Sequence, residues 1–369
     1  VIKVETPFKL GKSPPGSCVS PHPGDVEGQK RAAFHPLNRN KKSFALNLRS
    51  EEARYVFYRL VESVDVIVEG FSPGVTKRLG VDYETLAKIN PRIVYCSLSG
   101  YGQDGPYRDL PGHDINYISI GGALGLVGDR PDSPPVIPLN FVGDYAGGAL
   151  FATIGILSAL LARQQTGKGQ YIDTSLTDGV VSVLSMIAFD YFYNKVIPKR
   201  GESLLNGRYP HYTTYEAKDK KYISLGCMEP HFWENLCRLI GREDFIPHKY
   251  SEGEKRVEIL SFLNDYFRNK TRDEWFDELK DSDIPIAKVH TVDEVFSDPQ
   301  VLHRQMLAEV DHPKLGTVKQ VGITIKLSDT PGKIRSTAPL HSEHTEEILQ
   351  DLGYDAEQID DLRKAGAIL

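Results

Sequence analysis

Two short stretches carry residue types that can move protons. Gly112-His113-Asp114-Ile115-Asn116-Tyr117 sets an imidazole beside a carboxylate, and Asn140 to Gly148 (NFVGDYAGG) sets Asp144 among glycines about thirty residues later. Imidazoles and carboxylates are the commonest general acids and bases, and flanking glycines let backbone and substrate approach closely. Proton transfer on opposite faces of a substrate carbon needs two such groups from different elements, a condition that His113 and Asp144 meet. Both have plainer roles open to them: a His in a loop can cap a turn, and Asp before a helical run is a preferred N-cap. Glu229, in Gly226-Cys227-Met228-Glu229-Pro230, stands between a strand-like and a helix-like run. It is either a third site group or a partner for a helix dipole.

The elements that must position these residues can be read from periodicity. Val1 to Glu5 and Phe44 to Leu48 have strand patterns. Ser50 then offers an N-cap, with Ala53, Val56, Phe57, Leu60, Val61 and Val64 on one helical face. A strand at Val64 to Glu69, a helix at Tyr83 to Ile89 stopped by Asn90-Pro91, and a strand at Ile93 to Leu98 continue the alternation, which predicts a mainly parallel sheet. Ligands of such sheets sit beyond the strands' carboxyl ends, where the loops after Glu69 and Leu98 lie. Gly147 to Ala162 and Leu176 to Phe192 read as apolar helices around a strand at Tyr171 to Ser175. From Thr213 the pattern becomes a hairpin (Tyr212 to Glu216, Tyr222 to Leu225) with short helices, two of them opened by the capping boxes Thr271–Glu274 and Thr291–Glu294. The expected organisation is a large α/β domain over residues 1–197, a connection at 198–212, a smaller α+β domain at 213–318, and a C-terminal segment, 319–369, with one helix from Thr345 to Leu352 returning to the large domain.

Composition narrows the chemistry. With 369 residues and a formal net charge of -6, and with Lys and Arg spread along the chain, neither nucleic acid nor an anionic membrane is the expected partner. No apolar run, Ala149 to Ala162 included, is expected to span a membrane. Cys18, Cys96, Cys227 and Cys237 form no CxxC pair and no metal-ligand spacing, which predicts free thiols in a reducing cytoplasm and no metal site. The glycine-rich stretches are expected to form neither a dinucleotide-binding turn, nor a nucleotide-hydrolysing loop, nor a serine-hydrolase elbow. Asn38 to Lys42 (NRNKK) with Arg49 is a basic cluster suited either to a phosphate-bearing ligand or to solvent.

Several motifs together resemble CoA-transferase family III: Asn38-Arg39-Asn40-Lys41-Lys42-Ser43, Glu69-Gly70-Phe71 with Pro73-Gly74-Val75 and Arg78-Leu79-Gly80, Gly100 to Pro106 (GYGQDGP), and Thr166 to Gln170 (TGKGQ). The GHDINY stretch at Gly112 to Tyr117 is similar to the racemase branch of that family. The resemblance implies a Rossmann-like large domain, a smaller domain and an interlocked homodimer acting on an acyl-CoA, with coenzyme A entering as part of the substrate and no separate cofactor. It implies His113 and Asp144 as the two bases of a C2 racemase, partnered by Asp114 and Glu229, with oxyanion support from amides near Asp144. In the family's transferases Asp144 would instead be the covalent nucleophile. The implied CoA site comprises Leu46, Asn47, Leu48, Arg49, Gly70, Phe71, Ser72, Arg78, Gly112 and Tyr117, with Arg39 and Lys42 nearby. Thr6 and Ser72 stand where the family pattern has arginine, and the resemblance also implies a further strand and helix ahead of Val1.

Overall fold

The computed structural model describes residues 1–7 and 25–369; Cys18 lies outside them. β1 (Ile2–Glu5) pairs in parallel with β2 (Lys42–Ala45), and β3 (Val66–Glu69), β4 (Val94–Ser99) and β5 (Tyr171–Ser175) form a second parallel sheet in the order β3-β4-β5. The parallel character predicted from alternating periods is present, divided between two sheets. β2 lies nearer the N-terminus than the expected Phe44 to Leu48, because the backbone leaves the ladder early. The Asn47 amide donates to the carbonyl of Ala367 and the Ser50 amide to that of Asn47, which starts the next helix.

That helix, Glu51–Ser63, is capped by Ser50 Oγ, which accepts from the Ala53 amide at 3.1 Å, and it buries Ala53, Val56, Phe57, Leu60 and Val61. They pack with Phe44, Leu46 and Tyr95 and with residues from the end of the chain, Ile348, Leu349, Ile359 and Leu362. These residues of the tail lie on two helices, Thr345–Asp351 and Ala356–Lys364, where the sequence pattern marked one. The second is opened by a capping box, Asp355 with Gln358, that the sequence reading passed over.

A second core lies between Tyr215 and Ile284. β6 (Tyr212–Glu216) and β7 (Tyr222–Gly226) form the expected hairpin, with β8 (Ile286–Lys288) antiparallel to β7. Trp233 and Trp275 are buried there, each indole N–H donating to a backbone carbonyl, of Phe245 and Phe267. Both predicted capping boxes are formed. An unexpected hairpin, β9 (Leu307–His312) with β10 (Gly316–Val321), packs Val310 and Val318 on Ala33, and Gln320 Nε2 donates to the Ala33 carbonyl. The sequence boundary at residue 318 falls inside β10.

One helix departs most from expectation. It runs from Phe141 to Thr166, starting six residues before the expected Gly147, and its first ten residues have π geometry. By length and composition this helix is long and apolar enough to cross a membrane, with a mean hydropathy of 1.8, whereas the sequence reading found no such run. Its start packs tightly on the helix Leu176–Val183. A Cβ on Gly179 would lie 1.9 Å from the Gly147 carbonyl oxygen, so only glycine permits the crossing. Leu150, Ile154, Leu157 and Leu161 form an exposed stripe along it. The helix expected at Leu176 to Phe192 is two, Leu176–Val183 and Ser185–Asn194, bent by 62°.

Candidate active site

His113 is the N-cap of the helix Asp114–Ile120; its amide donates to Asn116 Oδ1 at 3.0 Å, and its side chain is exposed. Asp114, the first residue of that helix, is only 7 % exposed and turns inward. Its Oδ2 accepts from the amides of Gly143 and Asp144, at 2.8 Å each. A side chain at residue 143 would collide with this carboxylate, since a Cβ there would stand 2.6 Å from Asp114 Oδ2. One carboxylate thus ties the start of the Asp144 helix to the residue after His113. The Asp144 side chain is half-buried, with Oδ2 accepting from Asn140 Nδ2 at 3.2 Å. π geometry is rare and concentrates at functional sites; here it sets Asp144 inside the helix rather than at its cap. The amides of Gly143 and Asp144 are occupied by Asp114, so they do not supply the oxyanion contacts expected of that segment.

Tyr117 closes the back of the site. Its hydroxyl donates to the Gly112 carbonyl at 2.6 Å, and its ring covers Gly100 and Gly112, where a Cβ would lie 2.2 and 2.7 Å from the ring. Burial first, then Tyr101, then the Asp144 charge push the Tyr117 hydroxyl's pKa up, which keeps it a neutral donor.

Two glycine patterns qualify the sequence expectations. Gly100 to Gly105 does have GxGxxG spacing after β4, yet turns follow it rather than a helix, so there is no helix N-terminus to hold a pyrophosphate. Gly70-Phe71-Ser72-Pro73-Gly74 likewise has Gly-x-Ser-x-Gly spacing after β3. Ser72 does not have the left-handed backbone of a strained elbow, and the loop is fixed instead by Glu69, which accepts from the Phe71 amide at 2.8 Å and from Ser97 Oγ. Among the described residues no His, Cys, Asp or Glu cluster is placed to hold a metal.

The sequence matches CoA-transferase family III over residues 1–345. The beta subunit of succinyl-CoA–L-malate CoA-transferase from Chloroflexus aurantiacus is 36% identical over 340 residues, covering 90% of this chain and 83% of that one. Human alpha-methylacyl-CoA racemase is 33% identical over 324 residues, covering 88% and 84%. The chain belongs to CoA-transferase family III. A solved structure of a CAIB/BAIF family protein from Brucella suis shares the fold at a TM-score of 0.77 and 32% identity, covering 95% of this chain and 91% of that one.

The residues that the family III resemblance implied for CoA fall into different settings. Leu46 is in the core, Leu48 packs against it, and Asn47 Nδ2 donates to the Gly366 carbonyl at 3.2 Å. Arg39 donates to the carbonyls of Val321 and Gly322, and Lys42 is paired with Glu347 at 2.7 Å. Arg49, Gly70, Phe71, Ser72 and Arg78 are exposed, and neither Arg49 nor Arg78 has a carboxylate partner among the described residues. Arg54, which the sequence reading did not single out, links them: its Nη1 donates to the Arg49 carbonyl at 3.1 Å, and its side chain lies against Gly80 at the end of the Arg78 helix. Its place inside the amphipathic pattern of Glu51–Ser63 concealed it.

Glu229 is the exposed N-cap of the helix Pro230–Leu239, in the second core, and makes no side-chain cap bond. Its turn is held from beneath. The Cys227 amide donates to the His211 carbonyl at 2.9 Å, and the buried Lys249 ammonium donates to the Met228 carbonyl. Burial, then Lys249, push the His211 pKa down from 6.5 to about 4. Between those values the unfolded chain takes up a proton that the folded chain refuses, so this stabilisation is complete above pH 6.5 and is lost as the pH falls through about 4. Urea unfolding should show a loss on the order of 3 kcal/mol across that window. His211→Gln should flatten this part of the profile; an unchanged profile would refute the assignment.

Proposed function

We propose that this chain racemises or epimerises C2 of 2-methylacyl-CoA thioesters. One of His113 and Asp144 removes the α-proton, negative charge moves onto the thioester oxygen, and the other residue returns a proton to the opposite face of C2. The observation that carries the proposal is the Asp114 bridge. It couples a helix that begins at an exposed imidazole to a π turn that bears a half-buried carboxylate with no cation on it among the described residues. Arg49 and Arg78, with Arg54 between them, are proposed to hold the CoA phosphates; coenzyme A is part of the substrate, and no separate cofactor is required.

A homodimer is part of the proposal. The exposed stripe of Leu150, Ile154, Leu157 and Leu161 and the second stripe of Met186, Phe189 and Tyr193 are larger than isolated surface apolar residues. Glu229, far along the chain in the other core, would reach a site from a second copy. The free, buried Cys96, Cys227 and Cys237 suit a cytoplasmic location.

The second reading is CoA transfer, favoured by the malate transferase relative. Asp144 would attack the thioester carbonyl and expel the CoA thiolate, giving a mixed anhydride. The thiolate would then attack the Asp144 carbonyl, release the acyl carboxylate and leave a CoA thioester on the enzyme. Incubation of a 2-methylacyl-CoA in deuterated water separates the readings. Deuterium at C2 without any acceptor, from a species of about twice 41.2 kDa by light scattering, is the expected result. A CoA adduct on Asp144 with transfer to an added carboxylate and no C2 exchange would overturn it.

A further inference from the structure

Beyond the far end of the His113 helix lies a groove of about 480 Å³. Its walls are Leu126, Leu184, Ile187, Ala188, Tyr191 and Ile197; among the described residues no charged side chain lines it, and the Tyr191 hydroxyl is the one polar side-chain group that does. It is an open groove rather than an enclosed cavity, so an occupant would lay one side against these walls. Gly122, which also lines it, follows closely on Ile120, the last residue of the His113 helix. Seven helical residues rise about 10 Å, so the groove lies a helix length or more from His113.

Its rim is built. Arg200 donates to the carbonyls of Gly125, Pro131 and Ser133 at 3.0, 2.9 and 2.8 Å. Gly201, at φ +65, backs onto Asp129 so closely that a Cβ would meet its carbonyl oxygen at 1.8 Å. These contacts pin the 125–133 loop against the chain that follows Ile197. The groove is also separate from the apolar stripe proposed for a second copy. On the helix Ser185–Asn194, Ile187, Ala188 and Tyr191 fall on one side at helical spacing, and Met186, Phe189 and Tyr193 on the opposite side.

We infer that this groove receives the acyl chain of the thioester and selects an apolar alkyl or aryl chain that extends well past C2. The inference rests on the proposal that the His113–Asp144 site handles an acyl-CoA. Short acyl groups end before the groove, and a terminal carboxylate of a dicarboxylic acyl group would lose its hydration against apolar walls, with the Arg200 guanidinium at the rim already donating to the carbonyls of Gly125, Pro131 and Ser133.

Calorimetric binding of CoA, succinyl-CoA and straight-chain acyl-CoAs from propanoyl to dodecanoyl tests it. Affinity should rise about fourfold for each methylene that enters the groove, while succinyl-CoA binds no more tightly than propanoyl-CoA. Gly125→Leu, where an added side chain meets open space, and Ala188→Phe fill the groove from two walls. Each should erase about tenfold or more of the long-chain gain and leave the affinity for CoA itself within about twofold. Thioesters that bind with no dependence on chain length, or succinyl-CoA binding as tightly as dodecanoyl-CoA, would overturn the inference and leave the C2-exchange proposal standing. No binding of CoA or of any thioester would overturn both. Variants that keep the chain-length gain but change the oligomeric mass would assign the groove to a second copy instead.

Discussion

Asp144→Ala is expected to lose about a thousandfold or more in the rate of racemisation at C2, whereas His113→Ala loses racemisation while any CoA transfer persists. Positioned acid–base groups contribute about 10²–10⁴-fold, and a racemase needs one on each face of the carbon. Either substitution then removes interconversion of the two stereoisomers in both directions, while the remaining base can still exchange the α-proton of the enantiomer that faces it. The two residues part company under the transfer chemistry, where Asp144 forms the covalent bond and His113 only shapes the pocket. Exchange of deuterium into C2, followed separately from the (R) and the (S) thioester, reads the difference. One enantiomer still exchanging in His113→Ala, with no racemisation, is the two-base result and assigns His113 to the face of the other. Full exchange in both would remove it from the mechanism. Both side chains are outside the cores, His113 exposed and Asp144 half-buried, so neither variant should shift stability by more than about 1 kcal/mol.

Much of what positions these residues was legible in the sequence, because local rules govern it. Ser50, Thr271 and Thr291 announced their helices through caps, and the hairpin at Tyr212 was marked by its two short strand-like runs. The loops after β3 and β4 followed from strand periodicity. Three features were not legible, each for a tertiary reason. The Asp144 helix begins six residues early because its first amides are satisfied by Asp114, a residue 29 and 30 positions away, rather than by a local cap. Its π geometry has no periodic signature in a run as uniformly apolar and glycine-rich as Phe141 to Leu150. The apolar stripe along Phe141–Thr166 gives a weak amphipathic signal because apolar residues occupy most of its sides, so periodicity marked an apolar helix for burial on several sides or for a subunit contact without showing which side this chain leaves exposed. Arg54 and Lys249 were overlooked for a related reason. Each acts through one backbone carbonyl, of Arg49 and of Met228, and such contacts leave no pattern in spacing.

Asp114→Ala should cost stability and rate together, and Asp114→Asn should separate them. Truncation to alanine strands the Gly143 and Asp144 amides. A buried donor left without a partner costs about 1–3 kcal/mol, so the loss in urea unfolding should be on the order of 2–6 kcal/mol. The π turn would then relax toward ordinary helix, which turns the Asp144 side chain and lowers kcat for C2 exchange with little change in KM, since the Asp114 carboxylate is buried against the Gly143 and Asp144 amides. Asparagine keeps a carbonyl oxygen that can accept both amides, so Asp114→Asn should recover most of the stability. It removes the negative charge at the N-termini of two helices, a smaller effect of about 0.3–1 kcal/mol each. The Asp114 Oδ1 atom is buried and has no partner among the described residues, so the amide group of asparagine would bring an unpartnered donor to that position. This predicts incomplete recovery in stability and a kcat between those of the alanine variant and the parent. If Asp114→Ala unfolds at the parent's urea midpoint and keeps its kcat, the bridge does not hold the site together. Loss of kcat in Asp114→Asn at full stability would instead make the carboxylate charge, rather than the position it enforces, the property on which Asp144 depends.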